Sequence, residues 1–170
     1  VQKIDKLNKT TSVVEVHFAL NSQIDTRQVV FPVGDNYVTK GIFFISNITP
    51  SVSPKGEHLI IAGTPVLPSE TEDSDKIKNI VAKMKQEIAS IYPNFDSSLL
   101  WERPMAWKLV ESVVKEPGKV WKSKMPHQIP GIDGLFFVGD STVSYGSGTD
   151  SAAHSSILCT PKIESFLTSN

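Results

Sequence analysis

The feature that most constrains the fold of this chain is a short apolar run that leads into an acidic residue and a loop of small residues. Residues 135–138 are Leu-Phe-Phe-Val, and Gly139-Asp140 follows directly. Small residues continue to Gly148, and a helix is predicted from about Asp150. A wholly apolar run of this length is typical of a strand covered on both faces. The pattern therefore predicts a strand, a loop and a helix in succession.

This arrangement has the composition of a ligand site. In open sheets with helices on both faces, ligands bind beyond the carboxyl ends of the strands, which is where Asp140 stands. Gly146 and Gly148 would let the backbone approach a ligand closely, because glycine has no Cβ. The N–H groups that open the following helix would stabilise negative charge. We therefore predict a ligand site here, and a simple turn or helix-cap role for Asp140 is the alternative.

Gly146 and Gly148 also suggest a dinucleotide-binding fingerprint. That fingerprint needs a third glycine and a tight turn directly after the strand. Here the third glycine is missing, and the loop that follows Asp140 is longer than such a turn. The glycine pair alone is therefore weak evidence for a dinucleotide site.

A serine hydrolase is a further alternative for the same residues. Gly139-Asp140-Ser141 resembles the serine block of the hydrolases named for Gly-Asp-Ser-Leu, with Asp150 and His154 as the other triad members. In those enzymes the serine block lies near the start of the domain, whereas here it lies near the end. Residues four apart on a helix make local contacts more often than catalytic relays. We expect Ser141 to be a loop hydroxyl.

The rest of the chain predicts a sheet with one long helix packed on it. Residues 13–20 alternate apolar and polar side chains, as in a half-buried strand, and residues 58–66 form another strand. Residues 42–45 are continuously apolar, which indicates a strand buried on both faces. Residues 74–91 carry apolar side chains at helical spacing, with Ser74 as the expected N-cap.

Composition excludes several classes of protein. Lysine and arginine total 17 against 18 aspartate and glutamate residues, so the chain lacks the basic surplus of a nucleic-acid-binding protein. The single cysteine, Cys159, excludes an internal disulfide and a cysteine-rich zinc site, and we expect no metal. No apolar run has the length of a membrane span. The basic run of Lys115, Lys119, Lys122 and Lys124 is expected to be a solvated face, with peripheral contact with anionic lipid as the alternative.

Two blocks of the sequence are shared, in order and spacing, with one enzyme family. The first is Gly134-Leu-Phe-Phe-Val-Gly-Asp-Ser141, followed by Gly146-Ser-Gly-Thr-Asp-Ser-Ala-Ala153. The second, upstream, is Ile48-Thr-Pro-Ser-Val-Ser-Pro-Lys-Gly-Glu-His-Leu-Ile60. The first block resembles the closing motif of the flavin-dependent amine oxidases and phytoene desaturase-like (phytoene dehydrogenase-related) oxidoreductases, which form one family. The second resembles a segment of the desaturase-like branch, and the order and spacing of the two blocks agree with that branch.

The resemblance implies an FAD-dependent oxidoreductase that takes hydride from a lipophilic or amine-type substrate. Asp140 would accept a hydrogen bond from a ribityl hydroxyl of FAD. The backbone at residues 148–151 would face the pyrimidine edge of the isoalloxazine ring and stabilise the negative charge of the reduced flavin. The resemblance identifies no catalytic residue. The cofactor-binding residues that it implies are Gly139, Asp140, Ser141, Gly146, Gly148, Thr149, Asp150 and Ser151.

The same resemblance implies a fold class and a domain organisation. We expect an α+β chain in which residues 1–117 form a segment of the substrate domain, with a mixed or antiparallel sheet and a packed helix. Residues 118–170 would supply the C-terminal strand, loop and helix of an FAD-binding, Rossmann-like domain.

One expected part of such an enzyme is missing from the sequence. Nothing in residues 1–40 resembles the N-terminal G-x-G-x-x-G unit that holds the ADP half of FAD in this family. We therefore expect a C-terminal portion of a longer cytoplasmic enzyme, which binds FAD only with that unit and is inactive alone. The isolated chain would form homo-oligomers through the apolar strand at residues 135–138, or pair that strand with its own sheet. A non-catalytic interaction domain that kept the fold without the cofactor is the alternative.

Overall fold

A computed structural model describes residues 10–113, 118 and 120–169 of the chain, which mix strands and helices. The strands are β1 (Thr10–Leu20), β2 (Val29–Val30), β3 (Gly41–Phe44), β4 (His58–Val66) and β5 (Leu99–Val113). The α-helices are α1 (Ile45–Ile48), α2 (Ser74–Ile91), α3 (Phe95–Ser98) and α4 (Gly148–Ser169). Short 3₁₀ turns occupy Pro50–Val52, Pro68–Glu72 and Trp121–Ser123. The predicted α+β fold class is confirmed.

The five strands form one sheet in the order β2-β3-β4-β1-β5. β4 pairs antiparallel with both β1 and β3, so that Phe18, Ile60 and Phe44 form one row across three strands. The apolar side chains on this face of the sheet pack against α2 and form the core, as the alternation in residues 13–20 predicted. The buried members of this core are Val14, Val16, Phe18, Leu20, Ile42, Phe44, Ile60, Ala62, Val81, Met84, Ile88, Tyr92 and Phe95.

Helix α2 begins and ends at the residues that the sequence predicted. Its N-cap, however, is Asp73, and the predicted cap at Ser74 is wrong by one residue. The Asp73 carboxylate accepts hydrogen bonds from the backbone N–H groups of Asp75 and Lys76, at 3.1 and 3.0 Å. Both a carboxylate and a serine hydroxyl can accept from these N–H groups. The carboxylate also carries a negative charge, which stabilises the positive end of the helix.

The prediction that residues 42–45 are buried on both faces is wrong. Phe43 is 39% exposed, and Ile45 already belongs to α1. Because α2 covers one face of the sheet, alternate side chains of β3 lie on the opposite face. There the Phe43 ring packs edge to face against Phe31, with 6.0 Å between ring centroids.

Residues 135–138 form an isolated bridge and not the predicted covered strand. Phe136 bridges to Gln128, and the Phe137 N–H donates to the His127 carbonyl at 2.8 Å. Leu135 and Val138 remain 42% and 55% exposed. A strand in the middle of a sheet needs partners on two sides, and among the described residues the backbone partners of this segment lie at 127–128 alone. The loop and helix that follow are present, and α4 begins two residues earlier than predicted.

Contacts between residues divide the chain into two compact units. Residues 12–108 form the unit that contains the apolar core, and the second unit comprises residues 10–11 and 109–169 among those described. The boundary predicted between residues 117 and 118 falls beside residues outside the described part, and it stays a prediction. In that described part, no helix has both the length and the apolar content needed to cross a membrane.

Candidate functional site

The turn after residue 138 is fastened to the start of α4. The Gly139 carbonyl accepts hydrogen bonds from the Thr142 N–H and hydroxyl, at 3.1 and 2.7 Å, which closes a tight turn. The Gly139 N–H donates to Ser155 Oγ at 3.1 Å, and Ser151 Oγ donates to the Asp140 carbonyl at 3.4 Å. Asp140 therefore lies beside the first turn of α4, as its proposed role requires. Its side chain is half-buried, and Oδ1 accepts from Ser141 Oγ at 3.5 Å.

Two glycines shape the entry into α4. Gly146 and Gly148 have φ values of +77° and +56°, a region that non-glycine residues rarely adopt. A Cβ built at Gly146 would lie 3.8 Å from the backbone nitrogen of Ser151. A side chain there would cover the first turn of the helix. The glycine therefore keeps the N-terminal turn of α4 open to an approaching group.

In the structure, the predicted cofactor-binding residues lie in one segment made of the loop and the first turn of α4. They differ in whether their side chains face solvent. Gly146, Thr149 and Asp150 are exposed, and Gly148 is half-buried. The side chain of Ser151 is instead fully buried and points inward. Ser151 can therefore present only its backbone to a ligand, and its N–H already donates to the Ser147 carbonyl at 3.4 Å.

A buried polar cluster that the sequence did not predict lies behind this turn. Lys124 is only 5% exposed, and its Nζ donates to Ser144 Oγ at 3.0 Å and to Ser151 Oγ at 2.7 Å. The two serine hydroxyls lie 2.6 Å apart. The prediction that Lys124 belongs to a solvated basic face is wrong, because the fold places it against α4. Lys122 is exposed as predicted, and Lys115 and Lys119 lie outside the described residues.

A second part of this cluster centres on Ser155. Its hydroxyl contacts the Thr142 hydroxyl and lies 3.3 Å from His127 Nε2. Burial and the nearby charge of Lys162 lower the pKa of His127 below its ordinary value, so the ring is neutral at neutral pH. Among the described residues, every buried polar side-chain atom has a hydrogen-bond partner. No signal in the sequence marked these residues, because serine, threonine and lysine are ordinarily loop and surface residues.

Three aromatic rings stack at the edge of the site. The Trp121 and Tyr145 ring centroids are 3.3 Å apart with an 8° angle between planes, and the His154 ring lies 5.4 Å from Tyr145. The Tyr145 N–H donates to His154 Nδ1 at 2.9 Å. Trp121 has a φ of +53°, which is unusual for a bulky residue. The stack ties the segment before residue 124 to the loop that enters α4.

The structure does not assemble the serine hydrolase triad. Within the described part of the chain, no hydrogen bond or ion pair joins His154 to Ser141 or to Asp150. His154 instead accepts from a backbone N–H and stacks on Tyr145. The described residues also contain no group of three His, Cys, Asp or Glu side chains that could hold a metal ion.

Comparison with protein families identifies the class of this chain. Residues 1–160 match the family model of flavin containing amine oxidoreductases. The chain belongs to this family. The predicted resemblance to the flavin-dependent amine oxidase family is thereby confirmed, and membership implies a flavin cofactor. No curated protein matches the sequence significantly.

Two solved structures have a similar fold. The crystal structure of an oxidoreductase from Methanosarcina mazei matches with a TM-score of 0.72 and 14% identity, over 94% of this chain and 36% of that one. A Pyrococcus furiosus protein matches with a TM-score of 0.53 and 13% identity, over 96% of this chain and 34% of that one. At this identity the likeness shows the fold alone. The chain spans about a third of the length of these two structures.

Proposed function

We propose that this chain is the C-terminal part of a cytoplasmic, FAD-dependent oxidoreductase related to the phytoene dehydrogenases, which oxidises a lipophilic or amine-type substrate. The observation that carries the proposal is the glycine-lined first turn of α4, in a chain that belongs to the flavin-containing amine oxidoreductase family. Its N-terminal flavin-binding unit would lie outside this sequence.

The residues of the loop suit the polar edge of a flavin. The Cβ missing at Gly146 leaves room beside the backbone nitrogen of Ser151. The Ser151 N–H itself donates to the Ser147 carbonyl at 3.4 Å, so the preceding N–H groups of the turn, at Thr149 and Asp150, would face the flavin. The first N–H groups of a helix have no partner within it, and the helix dipole adds positive potential at the same end. Asp140, held beside this turn by Ser151, would accept a hydrogen bond from a hydroxyl of the ribityl chain. Gly139, Ser141, Thr149 and Asp150 complete the segment that would line the cofactor.

The division of chemical labour follows from these positions. A bound flavin supplies the hydride acceptor. The first turn of α4 stabilises negative charge next to it, through N–H groups that are already oriented before the reaction. Asp140 orients the cofactor through its hydroxyl chain. No residue described here is assigned to proton transfer.

The sheet face opposite α2 supports a substrate with apolar and basic character. Phe43 and Trp107 are 39% and 47% exposed on this face. Trp107 Nε1 donates to Glu15 Oε1 at 3.0 Å, and His17 Nε2 lies 3.4 Å from the same oxygen. A surface of aromatic rings with one carboxylate suits a lipophilic molecule or an amine, by apolar contact or by charge.

The first test is the flavin content of the purified full-length protein, with Gly146→Ala as the diagnostic variant. The added Cβ would cover the first turn of α4, so we expect FAD affinity to fall about tenfold, or about 1.4 kcal/mol. Gly131→Ala is the matched control, because Gly131 also has a positive φ, +84°, but is exposed with open space around it. Flavin absorbance, chromatographic identification of the released cofactor and titration of the apoprotein with FAD give the readouts.

The outcomes separate the proposal from its rival. A yellow protein that releases FAD, with weakened binding in Gly146→Ala alone, supports an oxidoreductase. Equal loss in the two variants would place the flavin elsewhere. A full-length protein that purifies colourless and does not take up FAD would contradict the proposal and favour an interaction domain without a cofactor. Anaerobic bleaching of the bound flavin by amines or by apolar polyenes then identifies the substrate class.

The exposed side chains of Leu135 and Val138 support a further part of the proposal, that the isolated 170-residue chain self-associates. Size-exclusion chromatography over a range of concentrations tests this. We expect a dimer or larger species that shifts toward monomer in Val138→Lys. A monomer at every concentration would contradict it.

A further inference from the structure

Lys124 occupies an unusual place for a lysine. It is 5% exposed, and its Nζ contacts Ser151 Oγ at 2.7 Å, in the first turn of α4. Lysine is rarely buried to this extent, because removing its charge from water is costly. The fold nevertheless places this ammonium group directly behind the turn that the loop glycines leave open.

The position is also electrostatically unfavourable for the helix. The N-terminus of a helix carries positive potential, so that anionic side chains stabilise it and cationic ones do not. Helix α2 follows this rule, because the Asp73 carboxylate caps its first turn. Helix α4 has Asp150 in its first turn, as the rule expects, but it also has the Lys124 cation at this end. A local arrangement that disfavours stability is typical of a functional site.

The contacts of Lys124 hold its ammonium group next to the proposed cofactor segment. Ser144 and Ser151 hold Nζ from two sides, and Ser151 Oγ also donates to the Asp140 carbonyl. The ammonium therefore lies behind the backbone that runs from Asp140 to the start of α4. Its charge adds to the positive potential of the helix terminus, and a low dielectric around it strengthens the effect.

We infer that Lys124 tunes the flavin: its charge, placed behind the first turn of α4, strengthens the binding of the reduced, anionic cofactor relative to the oxidised, neutral one. The inference rests on the proposed function, and it assigns Lys124 a role distinct from holding the cofactor. Lys124 would act electrostatically, by raising the positive potential at the first turn of α4. It needs no contact with the substrate.

The test compares oxidised and reduced FAD on the full-length protein. Lys124→Met removes the charge at similar length, and Lys124→Gln keeps a donor for the two serines if the methionine variant folds poorly. We expect the ratio of the two dissociation constants, reduced to oxidised, to rise at least about tenfold in both variants. For a two-electron couple this equals a midpoint potential lower by about 30 mV. Reductive titration with dithionite against a reference dye gives the potential.

Two controls distinguish charge from structure. Lys122→Met removes an exposed lysine two positions away and should leave the potential unchanged. Lys124→Arg keeps the charge and should keep most of the potential. If Lys124 has a structural role only, Lys124→Met weakens both redox forms equally and the potential stays constant, which would overturn the inference. A wild-type protein that binds no FAD would instead refute the proposed function itself.

Discussion

The sheet-and-helix unit and the loop-and-helix unit are stabilised by different kinds of interaction. In residues 12–108 the buried side chains are mostly aliphatic or aromatic, and they form one cluster between the sheet and α2. In residues 120–169 the buried side chains include a lysine, a histidine and several hydroxyls, with Cys159 as the buried apolar residue. An apolar cluster tolerates rearrangement, whereas a polar network is stable only when every member is satisfied.

The backbone shows the same contrast. The described residues outside glycine contain one with positive φ, Trp121, and it lies in the loop-and-helix unit. The entry into α4 depends on Gly146 and Gly148 in the left-handed region. Glycines with positive φ occur in the sheet unit too, at Gly34 and Gly56, so the contrast lies in Trp121, a bulky residue with positive φ beside the proposed cofactor segment.

The strongest test of the apolar unit is Phe18→Ala. Phe18 is fully buried and packs edge to face on Phe95, with 5.1 Å between centroids. Removing a buried aromatic ring leaves a cavity, so we expect a loss of about 3–5 kcal/mol in the free energy of unfolding. Chemical denaturation measures the loss, and hydrogen exchange locates it in residues 12–108. Phe31→Ala is the control, because Phe31 is 60% exposed, and it should cost far less. Equal losses would contradict an apolar core centred on β1.

The exception within the apolar unit is Glu87, and Glu87→Gln tests it. The buried carboxylate accepts from the N–H groups of Val38 and Thr39, at 2.9 and 2.8 Å, and from the Thr39 hydroxyl. Burial alone would raise the pKa of Glu87, but these hydrogen bonds outweigh it and hold the pKa below its ordinary value. An amide presents its own N–H groups to these donors, so we expect a loss of about 2–3 kcal/mol at neutral pH.

The pH dependence gives Glu87 a distinctive signature. Because the pKa is lower in the folded state, the carboxylate's contribution is present above the unfolded value of about 4.3 and is lost as pH falls through the folded value. The stability difference between the wild type and Glu87→Gln should therefore shrink below about pH 4. A difference that stays constant on acidification would show that the carboxylate charge contributes nothing. Denaturation at a series of pH values decides this.

Regular elements could be predicted from the sequence wherever the signal is local. The apolar stripe from Ile77 to Ile91 places α2, and β4 has the predicted ends, because periodicity and flanking breakers lie within each segment. Burial could not be predicted in the same way. Residues 42–45 and 135–138 have strand composition, but whether both faces are covered depends on which segments pack there.

The proximity of the candidate site's loop residues could be predicted from the sequence. The buried side chains that hold this loop in place could not. The glycines and Asp140 stand in one sequence block, so their proximity follows from the chain itself. Lys124 and Ser155 reach the same turn from distant positions, and nothing near either residue marks it as buried. Glu87 is a further example, because its partners at residues 38–39 are far away in the sequence. Long-range polar contacts carry no periodic signature.

The polar network is tested by Ser155→Ala. Ser155 Oγ joins the Gly139 N–H, the Thr142 hydroxyl and His127 Nε2. Its removal leaves buried polar groups without a partner, so we expect a loss of about 1–2 kcal/mol and faster hydrogen exchange around residues 139–142. Ser156→Ala is the matched control, because that hydroxyl is exposed and, among the described residues, bonds only to the Ala152 carbonyl of its own helix. If both variants behave alike, the hydroxyl network does not stabilise this unit.

The smallest effect concerns the backbone of Trp121. Both Trp121→Ala and Trp121→Gly remove the stack on Tyr145, but only alanine keeps a Cβ at a φ of +53°. The glycine variant should therefore be more stable than the alanine variant, by about 1 kcal/mol. At Trp107, in strand β5, the order should reverse by about 0.5–1 kcal/mol, since glycine weakens a strand. Comparing the two pairs by thermal unfolding isolates backbone strain from lost packing. If alanine is the better replacement at both positions, the left-handed conformation of Trp121 costs nothing, and the loop-and-helix unit differs from the sheet unit in its side chains alone.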